Sequence, residues 1–392
     1  MLSAHTIETV ESTIPLLAEQ GEAITRHFYA KLLTEKPELN NVFNPANQGK
    51  GGQARALADA VFAYASTLNN LEALLPAVAR IAHKHVSLGV TPEQYPIIGG
   101  ALLSAIQEVA SLPDGHPALV AWGEAYGVLA EVFINAEETL YQANEKATGG
   151  WRGFREFVID NIVSETHDVK SFYLKPKDSG TVPTFNGGQY VGLKVEFEGE
   201  AYVQIRQYSL SAQSDPAYLR ITTKAEPSGR VSNYLHGCKK GETVYMQAPT
   251  GVFNLDTQAK NHVFLAGGVG ITPLMAMLYE ALNKGIKPSN ILFVQAQQQQ
   301  ESEIFKSELA DLQHQWAFHY QAQFDDGEEG GYINQIRLKQ WLAEADIDPA
   351  DDTAVYTCGP KPFMGAMKQH SQTIGVEEKN IHYEVFGPTT AL

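Results

Sequence analysis

Two histidines two residues apart, His83 and His85, are the first candidates for chemistry, in the stretch IAHKHVSLGV. Imidazole nitrogens bind metals and transfer protons. Residues two apart on an α-helix point about 200° from each other, so the two rings cannot share a face. The apolar stripe of this segment consists of Leu74, Val78, Ile81 and Leu88. His85 falls on that stripe and His83 falls off it, so His85 is either a ligand or a hydrogen-bonded core histidine.

Other polar side chains interrupt the apolar stripes of the same region. Gln53 heads the stripe Leu57, Val61, Tyr64 and Leu68. Glu137 shares a helix face with Tyr126, Leu129, Phe133 and Leu140. Tyr29 lies among Phe28, Leu32 and Leu33, and Phe43 lies in a Pro/Asn-rich corner. Because a buried carboxylate needs a partner, these residues together predict a polar constellation inside a helical core.

The elements that must position this constellation are helices. A 3.6-residue apolar period predicts helices at 3–20, 22–35, 53–69, 76–88, 92–111 and 117–145. Thr91, Pro92 and Gln94 are typical of a capped helix start, and Gly89 of the preceding helix end.

The pattern changes after a linker at residues 147–150. Short β-rich runs predict a small antiparallel barrel with strands at Glu156–Ile162, Ser171–Lys175, Gln189–Glu196, Tyr202–Leu210, Ala217–Thr223 and Thr243–Gln247. From about residue 260, strands alternate with helices, which predicts a doubly wound α/β domain. Its strands are expected at His262–Ala266, Ile291–Ala296, Phe318–Gln323, Ala354–Thr357 and Ile381–Phe386, and its helices at Pro273–Asn283, Ser302–His314, 335–343 and 361–374. We therefore expect three domains, at 1–147, 151–257 and 258–392.

The barrel segment carries a motif similar to the RxYS motif of ferredoxin-reductase-like flavoproteins, Arg206-Gln207-Tyr208-Ser209. The guanidinium can bind a pyrophosphate through two hydrogen bonds, the phenol ring can stack on a flavin and the hydroxyl can bond the flavin ring. The alternative is an ordinary strand with outward polar residues. Gly229, Val231 and Ser232 open a predicted helix and resemble the second phosphate loop of that family.

A second glycine-rich turn, Gly268-Val269-Gly270-Ile271-Thr272-Pro273, follows the first strand of the α/β domain. Such a turn alone is weak support, but the strand-turn-helix context favours a pyridine nucleotide. Cys358-Gly359-Pro360 follows a later strand, at the edge where open α/β sheets bind ligands. Cys358 could equally be a small buried residue.

Composition limits the partners and the compartment. The 392 residues carry a formal net charge of −16 without a basic run, which argues against a nucleic-acid or anionic-membrane partner. The chain has 2 cysteines and no CxxCH haem-attachment motif, and we expect a reducing cytoplasmic setting. No secretion leader and no apolar run of 18 residues are expected.

Motifs along nearly the whole chain carry a family resemblance. They are HFYAKLL, NQGKGGQARAL, KHVSLGV, EAYGVLAEVFINAEE, RQYSL, GVGITP, CGP and YEVFGP. Residues 1–147 resemble a bacterial globin, and the chain as a whole resembles the flavohaemoglobins, the nitric oxide dioxygenase family.

The resemblance implies a non-covalent b-type haem whose iron is held by His85. It places Tyr95 and Glu137 behind the ligand, and Tyr29 and Gln53 beside bound dioxygen. Leu57 would narrow the distal pocket and Phe43 would wedge the haem. Lys84 would lie near a haem propionate or the flavin, with an ordinary surface lysine as an equal alternative.

The resemblance also implies the nucleotide contacts. The FAD residues would be Tyr190, Arg206, Gln207, Tyr208, Ser209, Gly229, Val231, Ser232, Glu384, Phe386 and Gly387. The NAD(P) residues would be Gly268, Val269, Gly270, Ile271, Thr272, Pro273, Cys358, Gly359 and Pro360. A glycine replaces the proline of the PGQY turn before Tyr190, and Val385 replaces the cysteine of the family's YECFGP ending, which here closes with Pro388.

The implied reaction passes electrons from NAD(P)H through FAD to haem, which converts nitric oxide and dioxygen to nitrate. Alternatives are a haem-based oxygen or nitric oxide sensor or store, and a flavin-dependent reductase of hydroperoxides. NADH and NADPH both remain open. A monomer is expected, and a lipid in the distal pocket is kept as a candidate ligand.

Overall fold

The computed structural model describes residues 2–43, 52–325 and 331–387. Residue contacts divide the chain into two compact units. The helical unit comprises Met1–Lys146, Lys194–Ile205 and Gly387–Thr390, and the sheet unit comprises Ala147–Leu193, Arg206–Phe386 and Ala391–Leu392. The domain boundary expected at 257/258 falls inside the sheet unit, between its two sheets, and stays a prediction.

The helical unit confirms the predicted all-α region. Within the described ranges its α-helices are α1 (Ala4–Glu11), α2 (Ile14–Glu35), α3 (Gly52–Ser66), α4 (Leu75–Leu88), α5 (Gln94–Val109) and α6 (Pro117–Lys146), with 3-10 turns at Pro37–Asn41 and Leu71–Leu74. Its core contains Phe28, Leu32, Ile106 and Trp122, each at most 3% exposed. This core leaves the inner faces of α3, α4 and α6 to line a cavity.

The first helical break differs from the prediction of one helix over 3–20. Helix α1 ends before Ser12 and Thr13, and α2 then continues through Gly21 without interruption. Pro15 lies in the first turn of α2, where a helix has no use for a backbone N–H. Gly21 is buried where α2 faces α3, and an added Cβ would make an ordinary contact 3.6 Å from the Ala58 Cβ, so this glycine lies inside a helix rather than at its end.

Helix α6 meets the length and composition criteria for a membrane span, with a mean hydropathy of 1.3 over its 18-residue window. This finding does not by itself overturn the expectation of no membrane-spanning segment. One helix of this kind is weak support for a membrane, because core helices pass the same test. Here α6 contributes Ala121, Trp122 and Ala125 to the core of the helical unit.

An antiparallel sheet confirms the predicted barrel. Its strands are β1 (Arg155–Ser164), β2 (Val169–Pro176), β3 (Tyr190–Val195), β4 (Gln204–Ser209), β5 (Leu219–Lys224) and β6 (Thr243–Met246), in the order β4-β3-β6-β1-β2-β5. A bridge between Leu210 and Ile221 joins the two outer strands and closes the sheet. Helix α7 (Arg230–Gly237) follows β5.

A parallel sheet confirms the doubly wound α/β fold. Its strands are β7 (Asn261–Gly267), β8 (Ile291–Gln297), β9 (His319–Phe324), β10 (Thr353–Cys358) and β11 (Ile381–Glu384), in the order β11-β10-β7-β8-β9. The helices are α8 (Ile271–Asn283), α9 (Lys306–Trp316), α10 (Gln335–Glu344) and α11 (Lys361–Thr373). The chain moves outward from β7 to β9 and returns to β10 on the other side of β7. The topological switch point, where such sheets bind ligands, therefore lies between β7 and β10.

Helix α9 begins four residues later than the predicted Ser302. A 3-10 turn occupies Gln300–Ser302, and Phe305 then adopts a left-handed conformation with φ of 58°. The ring of Phe305 is 1% exposed, so tertiary packing holds this residue in a conformation that its own preference disfavours.

Candidate functional site

The helical unit encloses an apolar cavity of about 380 Å³. All members of the stripe that contains His85 reach it, as do the two distal candidates Tyr29 and Gln53. Among its lining residues are Phe28, Tyr29, Phe43, Gln53, Leu57, Val61, Leu74, Val78, Ile81, Lys84, His85, Leu88, Tyr95, Tyr126, Leu129 and Phe133. The size is within the range of small-molecule and cofactor pockets.

On one wall of the cavity, His85 is held by a buried carboxylate. His85 Nδ1 lies 2.7 Å from Glu137 Oε1, and Glu137 is 3% exposed. The Tyr95 hydroxyl donates to the same carboxylate oxygen and lies 3.1 Å from His85 Nδ1. A carboxylate only accepts, so Nδ1 carries the proton and the lone pair of the imidazole is on Nε2. Nε2 has no hydrogen-bond partner within the described part of the chain, and it is the atom available to a metal.

Local sequence features fix this arrangement. Gly89 ends α4 with φ of 74°, and Val90 N donates to His85 O at 3.1 Å. This left-handed end is one that glycine adopts without strain. Gln94 Oε1 accepts from Thr91 N at 3.2 Å, which confirms the predicted capping contact, although α5 begins at Gln94 rather than Pro92.

A further layer behind the carboxylate was not assigned a role from sequence. Tyr126 donates to Tyr95 O at 2.7 Å. A Cβ at Gly99 would lie 2.3 Å from the Tyr126 ring, so only glycine leaves room for this tyrosine. The sequence signal for this layer was Tyr126, a polar residue that shares a mainly apolar helix face with Glu137.

On the distal side, Tyr29 and Phe43 make an edge-to-face contact with ring centroids 5.5 Å apart. Burial raises the pKa of the Tyr29 phenol above its ordinary value, and a side-chain hydrogen bond with Gln53 acts weakly in the opposite direction. Gln53 Oε1 is buried and has no partner among residues 2–43, 52–325 and 331–387. An orphaned buried acceptor is costly unless a bound group completes it. The corner after Phe43, residues 44–51, lies outside the described residues.

The neighbours of His85 differ from it. His83 is half-buried and does not line the cavity, and burial lowers the pKa of its imidazole. Lys84 lies at the cavity wall, and its Nζ donates to Gly387 O at 3.1 Å. The two alternative roles of Lys84 stay predictions.

The cavity fits a haem group. An imidazole with an available Nε2 at the wall of an apolar cavity is the setting that a flat, largely apolar macrocycle with a central iron requires.

In the sheet unit, the RxYS segment occupies the end of β4. Ser209 is 7% exposed, and burial raises the pKa of the Tyr190 and Tyr208 phenols. The pKa of Arg206 is lowered, chiefly by burial and also by the nearby Arg230. Arg206 is half-buried and Arg230 is exposed, and two positive charges that repel each other suit an anionic ligand such as a diphosphate. Arg230 was not predicted as a site residue, although it opens the helix after the Gly229 loop.

The Gly229 loop is held by short polar contacts. Ser232 Oγ accepts from Glu226 N at 3.2 Å and donates to Gly229 O at 3.3 Å. A Cβ at Gly229 would lie 2.3 Å from Ser232 Oγ. Val231 is buried, so this short helix presents its first backbone N–H groups from a rigid base.

At the switch point, the turn after β7 packs backbone to backbone against the end of β10. A Cβ at Gly270 would lie 2.2 Å from Cys358 O, and one at Gly359 would lie 2.9 Å from the Gly267 Cα. Gly268 has φ of 55°. The two segments therefore pack tightly at the switch point, the edge where open α/β sheets bind dinucleotides, and Val269, Ile271, Thr272, Pro273 and Pro360 belong to the same two segments.

Cys358 is fully buried beside Glu384 across the β10–β11 pair. Burial, and then the Glu384 carboxylate, raise the pKa of its thiol well above the ordinary value, so the thiol stays protonated and is not a nucleophile. Phe386 is 49% exposed, and Gly387 ends the described chain. Pro388 lies outside the described residues. Gln207 lies in β4 between Arg206 and Tyr208, and its role at the flavin stays a prediction.

Three family models match successive parts of the chain. They are described as Globin over residues 26–133, Oxidoreductase FAD-binding domain over 156–255 and Oxidoreductase NAD-binding domain over 264–369. Together they agree with the helical cavity, the antiparallel sheet and the parallel sheet.

Full-length relatives share this order. A protein named Flavohemoprotein from Oceanobacillus iheyensis is 43% identical over 402 residues, covering 99% of this chain and 97% of the relative. A Flavohemoprotein from Bacillus subtilis is 40% identical over 408 residues, covering 100% and 99%.

Solved structures agree as well. The flavohemoglobin of Malassezia yamatoensis, with bound FAD and heme, has a TM-score of 0.85 and 26% identity, covering 98% of this chain and 100% of that one. The Flavohem-like FAD/NAD binding domain of the Vibrio cholerae nitric oxide dioxygenase has a TM-score of 0.54 and 35% identity, covering 60% of this chain and 100% of that one.

Proposed function

This chain belongs to the flavohaemoprotein family, and from that premise we propose that it is a nitric oxide dioxygenase with haem b, FAD and NAD(P)H as cofactors. In the reaction, two nitric oxide and two dioxygen molecules become two nitrate ions, while one NAD(P)H becomes NAD(P)⁺ and a proton. The observation that carries the proposal is the hydrogen bond from His85 to the buried Glu137 carboxylate at the wall of an apolar cavity.

When bound, the cofactors supply hydride acceptance at the flavin, one-electron steps and an iron that binds dioxygen. The Glu137 carboxylate makes the His85 imidazole a stronger electron donor than a histidine bonded to a neutral acceptor. Tyr95, which donates to the same carboxylate, holds it in place. Such a ligand favours oxygen chemistry over reversible storage, which is why we prefer an enzyme to a sensor or store.

On the distal side, the Tyr29 phenol keeps its proton at neutral pH and is the proposed hydrogen-bond donor to dioxygen. The amide of Gln53 orients that phenol and contributes a second polar group. Leu57 and Phe43 complete an apolar surface around them. Nitric oxide and dioxygen are small and uncharged, and they enter an apolar cavity without a desolvation penalty.

In the sheet unit, Arg206 and the Gly229 loop are the proposed diphosphate contacts of FAD. Tyr208, Tyr190 and Phe386 are the proposed aromatic neighbours of the flavin ring, and Ser209 and Glu384 its polar neighbours. The Gly268–Pro273 turn and the Cys358–Pro360 segment are the proposed NAD(P) site. Both cysteines are free and buried, which supports a reducing compartment, and we propose the cytoplasm.

An absorption spectrum of the purified protein tests the cofactor assignment. We expect a Soret band together with flavin absorbance, and reduction of both chromophores by NADH under argon. Addition of carbon monoxide should then shift the Soret band. A protein with flavin absorbance alone would instead support the alternative of a flavin-dependent reductase of hydroperoxides.

A further inference from the structure

Arg220 on β5 is a buried charge that the proposed reaction does not use. It is 3% exposed, and it lies in the strand Leu219–Lys224 between apolar and threonine side chains. Burial of a guanidinium is expensive unless its donors are all satisfied. The acceptors that bind Arg220 come from two places: the antiparallel sheet and the helices that flank the parallel sheet.

One set of contacts reaches Ser211, just after the strand that carries the RxYS motif. Arg220 Nε donates to Ser211 Oγ at 3.2 Å, and Arg220 Nη2 donates to Ser211 O. Ser211 also pairs with Arg220 through its backbone N–H at 3.0 Å. Ser211 follows Ser209, the proposed flavin contact, by two residues, so Arg220 fixes the chain that leaves the flavin site.

The other set reaches the helices of the parallel sheet. Arg220 Nη1 donates to both carboxylate oxygens of Glu308 on α9, at 3.0 and 2.8 Å. Tyr279 on α8 donates to Glu308 Oε1 at 2.5 Å. The Arg220 guanidinium also lies over the Phe305 ring, 4.8 Å from its centroid. Helix α8 begins in the Gly268–Pro273 turn, so Tyr279 connects the network to the proposed NAD(P) site.

A neighbouring contact joins the same two parts. Glu280, next to Tyr279 on α8, accepts from Gly187 N at 2.6 Å. A Cβ at Gly187 would lie 2.5 Å from the Met277 Cα, so the turn before Tyr190 packs directly on α8. Helix α8 is therefore attached to the antiparallel sheet at two adjacent residues.

We propose that Arg220, Glu308 and Tyr279 form a clamp that positions the end of β4 against α8 and so sets the geometry of hydride transfer from the nicotinamide to the flavin. The clamp residues are positioning residues, because they hold the backbone of the two sites without being among the proposed cofactor contacts. This inference rests on the proposed function of the sheet unit as an NAD(P)H–FAD reductase. Hydride transfer is sensitive to small displacements of the reacting atoms, so loosening the clamp should slow the chemical step more than it weakens binding.

The test compares Glu308→Gln and Tyr279→Phe with a matched control, Asp178→Asn, in the full-length holoprotein. Asp178 also binds an arginine through two hydrogen bonds, from Arg155 at 2.9 and 2.6 Å, but both residues lie at the antiparallel sheet. The first readout is amide hydrogen exchange by mass spectrometry. We expect faster exchange in residues 205–213 and 303–310 of the Glu308→Gln protein, and unchanged exchange there in the control.

The second readout is anaerobic bleaching of the flavin by NADH in a stopped-flow instrument. For Glu308→Gln we expect a limiting rate about ten-fold lower, with a half-saturating NADH concentration within about two-fold of wild type. The isotope effect with 4-deuterated NADH should rise, because the chemical step becomes more limiting. Tyr279→Phe should lower the limiting rate by about three-fold, since one hydrogen bond is lost and the ion pair remains.

A lower melting temperature with unchanged limiting rates and isotope effects in both variants would overturn the clamp. If Glu308→Gln does not fold, Tyr279→Phe decides by the same two readouts. Failure of the proposed function would look different, because wild-type flavin would then not be bleached by NADH at all.

Discussion

The helical unit and the sheet unit treat their buried polar groups in opposite ways. In the helical unit, His85 Nε2 and Gln53 Oε1 lie at an apolar cavity and have no hydrogen-bond partner among the residues that the structure describes. In the sheet unit, every nitrogen of the buried Arg220 guanidinium donates to a protein acceptor. Buried polar atoms without a protein partner indicate a place where a ligand binds. Buried polar atoms whose hydrogen bonds are all made by protein groups indicate a positioning role.

The largest effect is expected when the His85 imidazole, whose Nε2 has no partner among the described residues, is removed. In His85→Ala, we expect loss of the Soret band and of nitric oxide consumption, because His85 is the only histidine among the described residues that line the cavity. NADH oxidation with an artificial electron acceptor should persist, since the FAD-binding and NAD-binding family models match the sheet unit. The matched control is His83→Ala, which should keep its haem. Stoichiometric haem in His85→Ala would remove His85 as the ligand.

A second change leaves the ligand in place and alters only its partner. Glu137→Gln replaces the carboxylate that accepts from His85 Nδ1 by a neutral amide. We expect the haem midpoint potential to rise, because the imidazole donates less, and nitric oxide turnover to fall about ten- to hundred-fold. Spectroelectrochemical titration measures the first effect. Glu131→Gln, an exposed carboxylate on the same helix, should change neither.

Two tyrosines that line the cavity, Tyr29 and Tyr64, differ in whether the hydroxyl already donates to a protein acceptor. Tyr29→Phe should raise the oxygen dissociation rate about ten- to hundred-fold, since a polarised hydrogen bond is worth about 1.5–3 kcal/mol. Tyr64 also lines the cavity, but its hydroxyl already donates to Ala125 O at 2.7 Å. Tyr64→Phe should therefore lower stability by about 1 kcal/mol and leave oxygen dissociation unchanged. Equal dissociation rates in wild type and Tyr29→Phe would contradict the assignment of Tyr29.

The smallest expected effect concerns pH. Burial raises the pKa of Tyr29 above the ordinary tyrosine value of about 10, so the phenol keeps its proton at lower pH. Oxygen dissociation should therefore be constant between about pH 6 and pH 9. A rate that rises with a midpoint inside this window would show that another group controls the hydrogen bond.

Sequence periodicity predicted most elements and the contents of the cavity wall, because apolar stripes are local signals. It misplaced the break near Gly21, since in sequence a glycine inside a helix resembles one that ends a helix. It also missed the late start of α9, where packing holds Phe305 in a left-handed conformation.

Long-range partners were beyond the sequence. Arg220 shows there as one charged residue in a β-rich run, and Glu308 lies 88 residues further on. The family resemblance supplied the role of His85. The 2.7 Å hydrogen bond between His85 Nδ1 and Glu137 Oε1 became visible only in the folded structure. The orphaned acceptor on Gln53 could not be predicted either, because it depends on what every neighbouring atom does.

Product analysis under nitric oxide, oxygen and NADH tests the central claim most directly. Wild-type protein at catalytic concentration should form one nitrate for each nitric oxide consumed, with one NADH oxidised for every two nitrates. Nitrate in no more than the amount of protein present, with NADH oxidation uncoupled from it, would contradict a dioxygenase and leave an oxygen-binding or flavin-reducing protein.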